Sequence, residues 1–310
     1  MTGSTERAGD RGEEGAATWA RLFLAAMRKH DRAAVLLHHG QEKWQETPDW
    51  RLERQVIRLA LFLRDRGGIL PGDRVAIVSR LRPEAVAAEL AALAQGAAAL
   101  AIDPDLSPAE LRVVFEQTAP AAVFVPDAAA RGSLPSGARA VLCFDGSADG
   151  AWAWSEALDL GGTLDTPERA QLFRALAREV KADAPALGHL VGWDGSLRAQ
   201  FLTQAETAAR LVALRAGSPA RKGAVGYVAG PPTAAARLAL LSFIADGSTT
   251  CALGTPGREA AEVAELQPDW LVGPDGALES RRSAAPPPHA PRRGILDRVF
   301  ATFRSNRRET

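Results

Sequence analysis

The sequence predicts an α/β fold of two weakly similar βαβ layers with mainly parallel sheets. Short apolar runs fit for buried strands, such as 75–78 and 122–125, alternate with stretches of helical periodicity. Proline, glycine and aspartate clusters punctuate the alternation. The plan also recurs along the chain. Gly72 and Gly96 have counterparts 151 residues on, in Gly223 and Gly247. Pro120, Pro126 and Asp127 have counterparts 148 residues on, in Pro268, Pro274 and Asp275. Leu90 and Leu93 match Leu241 and Ile244, and Ser107-Pro108 is echoed by Thr255-Pro256. The repeat is read as a structural duplication; the plainer alternative is that any two βαβ units look alike.

The first helix spans about 48–66. Thr47 is placed to cap it and Pro48 suits its first turn. Leu52, Val56, Leu59, Ala60 and Leu63 form one apolar stripe, and Gly67-Gly68 ends it. After the turn Pro71-Gly72-Asp73 comes a strand at 75–78. Pro83 opens a helix to Ala94, stopped near Gly96, and a strand follows over 98–102. Ser107, Pro108 and Glu110 stand in register as cap, first-turn proline and capping-box acid. That helix reaches Gln117, and 122–125 is the next strand. Residues 128–184 join the two units, with a strand at 139–144, an amphipathic stretch from Trp152 and a helix over 167–181. The units are 18–127 and 185–279, in a domain spanning 18–279. Residues 1–17 form a polar tail, 280–291 a proline-rich linker, and 292–310 a basic amphipathic helix.

With 46% hydrophobic and 24% charged residues, the 310-residue chain is neither wholly disordered nor collagen-like. Its formal net charge is zero, which gives no general attraction to nucleic acid. Two cysteines, Cys143 and Cys251, make no disulfide framework, so a reducing, cytoplasmic setting is expected. His30, His38, His39, His189 and His289 lack ligand-type spacing, and no metal site is expected. No stretch is long and apolar enough for a membrane span; 85–102 reads as a buried helix running into a strand.

Several segments together resemble a known family. Trp50-Arg51-Leu52 and its helix lead to Leu70-Pro71-Gly72-Asp73-Arg74-Val75-Ala76-Ile77. Then come Arg82-Pro83-Glu84, Leu90, Leu93, Gly96-Ala97, Pro104, Leu106-Ser107-Pro108, Leu111 and the strand 121–125. This run is similar to the start of an adenylate-forming, AMP-binding enzyme, most like the N-terminal part of a long-chain fatty acyl-CoA synthetase. The resemblance implies the N-terminal portion of that family's large domain. It also implies a Ser/Thr/Gly-rich loop ending in Pro-Lys-Gly that cradles ATP phosphates, placed between Asp183-Ala184-Pro185 and Phe201-Leu202-Thr203. Standing there are Gly192, Asp194, Gly195, Ser196 and Arg198, a degenerate counterpart with neither the lysine nor most of the hydroxyls. Phosphate loops aim backbone N–H groups and a cation at the anion, and Asp194 opposes that.

The family's later elements, including its adenine, ribose and Mg²⁺ motifs and the lid lysine, have no counterpart after Asp275. No catalytic residue is therefore assigned and no cofactor is expected. The favoured reading is a noncatalytic binding, regulatory or scaffold module. The alternative is the N-terminal half of a split fatty acyl-CoA ligase, which would take ATP and Mg²⁺ with a separate C-terminal chain. A relict with no selected role is a third reading. Gly226 to Gly230 reads as a close-packed βα turn rather than a dinucleotide fingerprint. Ser147, Ser155 and Ser196 are not in nucleophile-elbow contexts, and His189 reads as a structural histidine. Asp103, Asp105 and Glu110 read as turn and cap residues, and Trp152 and Trp154 as core and cover. A protein partner or homo-oligomer is expected, through an apolar patch on the Leu/Ala-rich helix 234–245.

The C-terminal stretch concentrates charge. Eight arginines against two acids leave +6 on 280–310, and −6 on the rest of the chain. Ile295, Leu296, Val299, Phe300 and Phe303 share one helical face, flanked by Arg292, Arg293 and Arg298. This pattern fits a helix lying on an anionic membrane surface, a partner groove, or packing on its own domain. Each arginine near an anionic surface contributes about 1 kcal/mol. On the membrane reading, the full chain co-sediments with anionic but not neutral liposomes, and a chain ending at Pro288 does not. Equal binding by the two chains, or none to anionic lipid, removes that reading.

Overall fold

The structure, a computed structural model, describes residues 17–29, 34–40, 43–192, 197–217, 223–273 and 278–280. The first half runs α1 (Trp19–Lys29), β1 (Ala34–His39), β2 (Trp44–Pro48), α2 (Asp49–Asp65), β3 (Arg74–Val78), α3 (Pro83–Ala94), β4 (Ala98–Ile102), α4 (Pro108–Thr118) and β5 (Ala122–Val125). A connecting region carries α5 (Ala128–Gly132), β6 (Ala140–Cys143), β7 (Trp152–Ala153), α6 (Trp154–Leu164) and α7 (Pro167–Arg178). The second half runs β8 (Pro185–Val191), β9 (Arg198–Thr203), α8 (Gln204–Gly217), β10 (Val225–Val228), α9 (Ala234–Asp246), β11 (Thr250–Leu253), α10 (Glu259–Leu266), β12 (Trp270–Val272) and β13 (Leu278–Ser280).

Local chemistry sets most of the boundaries. Proline occupies the first turn of α3, α4 and α7. Ser107 and Glu110 form a full capping box on α4. At α2 the cap differs from the expectation. Thr47 is a buried strand residue opposite Leu36, and Pro48 is the N-cap, with no side-chain cap bond. The ladder to β1 engages the backbone through Pro48, so the helix begins only where the ladder ends. The helix expected over 167–181 stops at Arg178, where the Glu179 N–H bonds the carbonyls of Ala175 and Leu176.

Two sheets result. One has the order β13-β12-β10-β11-β1-β2, the other β7-β6-β5-β3-β4-β8-β9. The strands at 74–78 and 225–228 pair parallel with both neighbours and are largely buried, as expected. The duplication is real in the backbone. Gly96 and Gly247 close equivalent helices at φ +82° and +74°. Among the described residues, Ala119 and Gln267 are the two non-glycine residues with positive φ, and each stands directly before the matched Pro120 or Pro268. The Ala121 N–H donates to Arg74 O, and the Asp269 N–H to Val225 O, both at 2.8 Å.

The repeat reaches further than its sequence signals. The hairpin β1–β2 and the hairpin β8–β9 carry the same register irregularity, between Ala34 and Leu36 and between Pro185 and Leu187. Each hairpin leaves its own unit: β1 pairs parallel with β11 of the second unit, and β8 pairs parallel with β4 of the first. The two units therefore interleave, each hairpin completing the other unit's sheet.

Helices fill the space between the sheets. The main core joins α1, α2, α3 and α9 to the inner faces of both sheets. A second cluster lies under α4 on the outer face of the seven-stranded sheet, and a third under α10 on the six-stranded one. Helix α9 is buried on every side from Ala236 to Asp246. The apolar patch expected on 234–245 is thus absent: the helix lacks a polar face because it has no solvent face. Gly226 lets it ride close on β10, since a Cβ there would meet the Phe243 ring at 2.3 Å.

One buried ion pair crosses this interior. Arg237 on α9, 1% exposed, binds both carboxylate oxygens of Glu89 on α3 at 2.9 to 3.2 Å. It also donates to Gly188 O of β8 and, at 3.0 Å, to Ala99 O of β4. Removing one partner of such a pair leaves an uncompensated buried charge and costs about 3–5 kcal/mol. Arg237→Met is therefore expected to lower the urea-unfolding free energy by about that amount, with the double variant Glu89→Leu/Arg237→Met recovering part of the loss. A loss under about 1 kcal/mol for the single variant, or no recovery in the double, contradicts the assignment.

Candidate functional site

The candidate site is the turn of the β8–β9 hairpin. Because β8 runs parallel to β4, its end lies on the carboxyl rim of the seven-stranded sheet, where open α/β sheets bind ligands. Val191 and Arg198 are the last paired residues and enclose positions 192–197. Gly192 leaves β8 at φ +93°, a conformation that glycine adopts without strain. Arg198 is exposed at the opposite foot, and Leu197 beside it is buried. Asp194, Gly195 and Ser196 lie outside the described residues. So do Arg292, Arg293, Ile295, Leu296, Arg298, Val299, Phe300 and Phe303.

The β9 foot of the turn is held from α4, and the strands behind it are packed and capped. On the outer edge of β9, the Gln117 amide of α4 donates to Leu197 O at 2.8 Å and accepts from Ala199 N at 3.2 Å. It takes the place of a neighbouring strand and covers an edge otherwise open to pairing. Phe201 lies over Gly188, where a Cβ would meet the ring at 2.6 Å, and under the Arg74 guanidinium at 5.7 Å. At the far end, Thr203 and Glu206 form a reciprocal cap on α8, with bonds of 2.8 and 3.1 Å. The Thr203 N–H, then its side chain, hold the Glu206 carboxyl below its usual range. Gln204, fully buried, binds Leu93 O and Ala20 N.

His189 sits two residues before the strand end and is half-buried. Burial, then the charges of Arg237 and Arg210, lower its pKa, so it favours the neutral form. Its Nδ1 is buried without a hydrogen-bond partner among the described residues. Asp103 accepts from Asp105 N in a turn, and Glu110 caps α4. Trp152 packs edge-on against Phe62 at 5.5 Å, and Trp154 against Phe144 at 5.5 Å. Among the described residues, no three of His, Cys, Asp or Glu gather closely enough to hold a metal ion. No described helix is long and apolar enough to cross a membrane.

Sequence reasoning located the turn but not its supports. Gln117 reaches its β9 foot from α4 and Arg237 reaches Gly188 of β8 from α9, and neither leaves a local pattern. The Thr203-x-x-Glu206 box was a readable signal that the segment ends in a helix cap.

The family model described as "AMP-binding enzyme" matches residues 23–186, ending inside β8. The chain belongs to the AMP-binding enzyme family. Solved structures agree on the fold, matching the N-terminal part of adenylate-forming enzymes. A protein described as a long-chain-fatty-acid CoA ligase of Rhodopseudomonas palustris superposes with TM-score 0.69 at 18% identity, over 85% of this chain and 65% of its own. A luciferase-like enzyme of the nonluminescent mealworm Zophobas morio gives 0.65 at 14%, over 85% and 60%. The fatty acyl-adenylate ligase of L. pneumophila, solved with acyl adenylate and pyrophosphate, gives 0.63 at 13%, over 81% and 43%. The chain thus spans less than two thirds of each. No curated protein matches it.

Proposed function

We propose that this chain is a noncatalytic AMP-binding family protein that acts in the cytoplasm as a binding, regulatory or scaffold module. One observation carries the reading. The hairpin turn that corresponds to the family's phosphate cradle has Asp194 and no lysine; none occurs between Lys181 and Lys222. Adenylate formation needs an anionic polyphosphate held by donors and cations while further charge develops at the α-phosphate. A carboxylate about 4 Å from a phosphate oxygen costs on the order of 1–4 kcal/mol, depending on screening. Gly192 and the exposed Arg198 keep part of the cradle's chemistry, which suits weak binding better than turnover. Partner contact through another protein, a second copy, or an anionic membrane met by 292–303 belongs to the same proposal.

The fold shared with the R. palustris ligase also supports a second reading, the N-terminal half of a split fatty acyl-CoA ligase that works with a separate C-terminal chain. ATP–pyrophosphate exchange with a panel of fatty acids separates the two. The purified chain is expected to give no exchange, alone or with a separately expressed C-terminal ligase domain. Exchange by the chain alone contradicts the proposal. Exchange only with the added domain selects the split ligase.

A further inference from the structure

The repeat puts a histidine at the same place in both hairpins. His38 of β1 and His189 of β8 are 151 residues apart, the offset of the matched glycines. Each lies two residues after the shared register irregularity, which ends at Leu36 and Leu187. Each also faces a glutamine across its hairpin, Gln45 and Gln200 respectively. Leu36 and Leu187 belong to the core between the sheets, so alternation turns both imidazoles to that inner side. Both rings are half-buried, and each Nδ1 is buried without a hydrogen-bond partner among the described residues. A neutral ring tolerates this, because its bare nitrogen is only an unused acceptor. An imidazolium does not: both nitrogens become donors, and a charged N–H is left buried and unpaired.

The surrounding charges differ between the two copies but do not reverse this. Burial is the largest influence on each ring and disfavours its charge. Around His189, Arg237 of α9 and Arg210 of α8 add to burial, and Glu89 of α3 is engaged by Arg237. Around His38, Glu84 of α3 and the Gln45 amide of β2 favour the charge, while Arg51 of α2 and Arg82 of α3 oppose it. On β11 the residue paired with His38 is the uncharged Leu253. We propose that this histidine pair is an acid-responsive element. Protonating either ring loosens the seam at which its hairpin joins the other unit's sheet, and the two seams loosen over the same pH range. Above the ordinary histidine value of 6.5, both rings are neutral whether the chain is folded or unfolded, and the seams keep their full strength. Below it, the unfolded chain takes up protons at these rings before the folded chain does, so stability falls with pH until the folded rings titrate as well. The element is independent of any ligand at the β8–β9 turn.

The test is the urea midpoint at about pH 7.5 and about pH 5.5, either side of the histidine range. It is measured on the full chain, on His38→Gln, on His189→Gln and on the double variant. The unaltered chain should lose midpoint on acidification, each single variant about half as much, and the double variant at most about a quarter as much. Each chain is compared with itself at two pH values, so a loss of stability from the substitution itself drops out. Glu46, whose carboxyl burial raises, is common to all four chains. A proton-NMR titration of the unaltered chain gives a second readout that needs no variant: the His38 and His189 resonances should titrate below 6.5. Titration of both at or above that value overturns the proposal. So does an acid loss in the double variant equal to that of the unaltered chain, or no acid loss in the unaltered chain. One single variant that removes the whole loss contradicts the pairing.

Discussion

Everything in this molecule depends on two units being locked in register through a dry interior, and the Glu89–Arg237 pair is where that constraint is most visible. Arg237 comes from the second unit and Glu89 from the first. The carbonyls that complete the guanidinium's bonding belong to β4 and β8, the strands where one unit's hairpin meets the other unit's sheet. A buried pair is a poor source of net stability, because desolvation offsets much of the attraction. Its value here is register. With α3 and α9 apolar around their circumference, hydrophobic packing alone specifies their rotation weakly. A guanidinium that must satisfy four acceptors specifies it strongly.

That frame determines what the β8–β9 turn can do. Its β9 foot is bonded from outside by Gln117, while the Thr203–Glu206 cap ends β9 and Arg237 bonds Gly188 within β8. A hairpin scaffold of this kind can persist while the side chains of its turn change. Family membership and fold follow from the frame, and activity from the handful of side chains on it.

Much of the frame was legible in the sequence because its signals are local. Pro83, Ser107-Pro108-Glu110 and Gly96 mark helix ends by chemistry that tertiary packing did not override. The matched spacing of Gly96 with Gly247 and Pro120 with Pro268 predicted the duplicated layers. Two things were hidden. The hairpin 34–48 has little alternation, because β1 is covered over most of its length while β2 is an edge strand. Its exchange with the other unit's hairpin is a long-range pairing that no local pattern encodes. The solvent exposure expected for 234–245 failed for the converse reason: a helix apolar all round is a central one. At the site, the turn was found from flanking segments, but Gln117 and Arg237 act across 80 and 49 residues of sequence and were invisible there.

Native-state hydrogen exchange tests the interleaved, locked architecture most directly. Amides of β4 in the first unit and β11 in the second should open together, with one free energy equal to that of global unfolding. The hairpin strands β1 and β8 should share it, since each is the seam of the other unit's sheet. A unit whose strands exchange through a separate, lower-energy opening while the other stays protected would contradict the account.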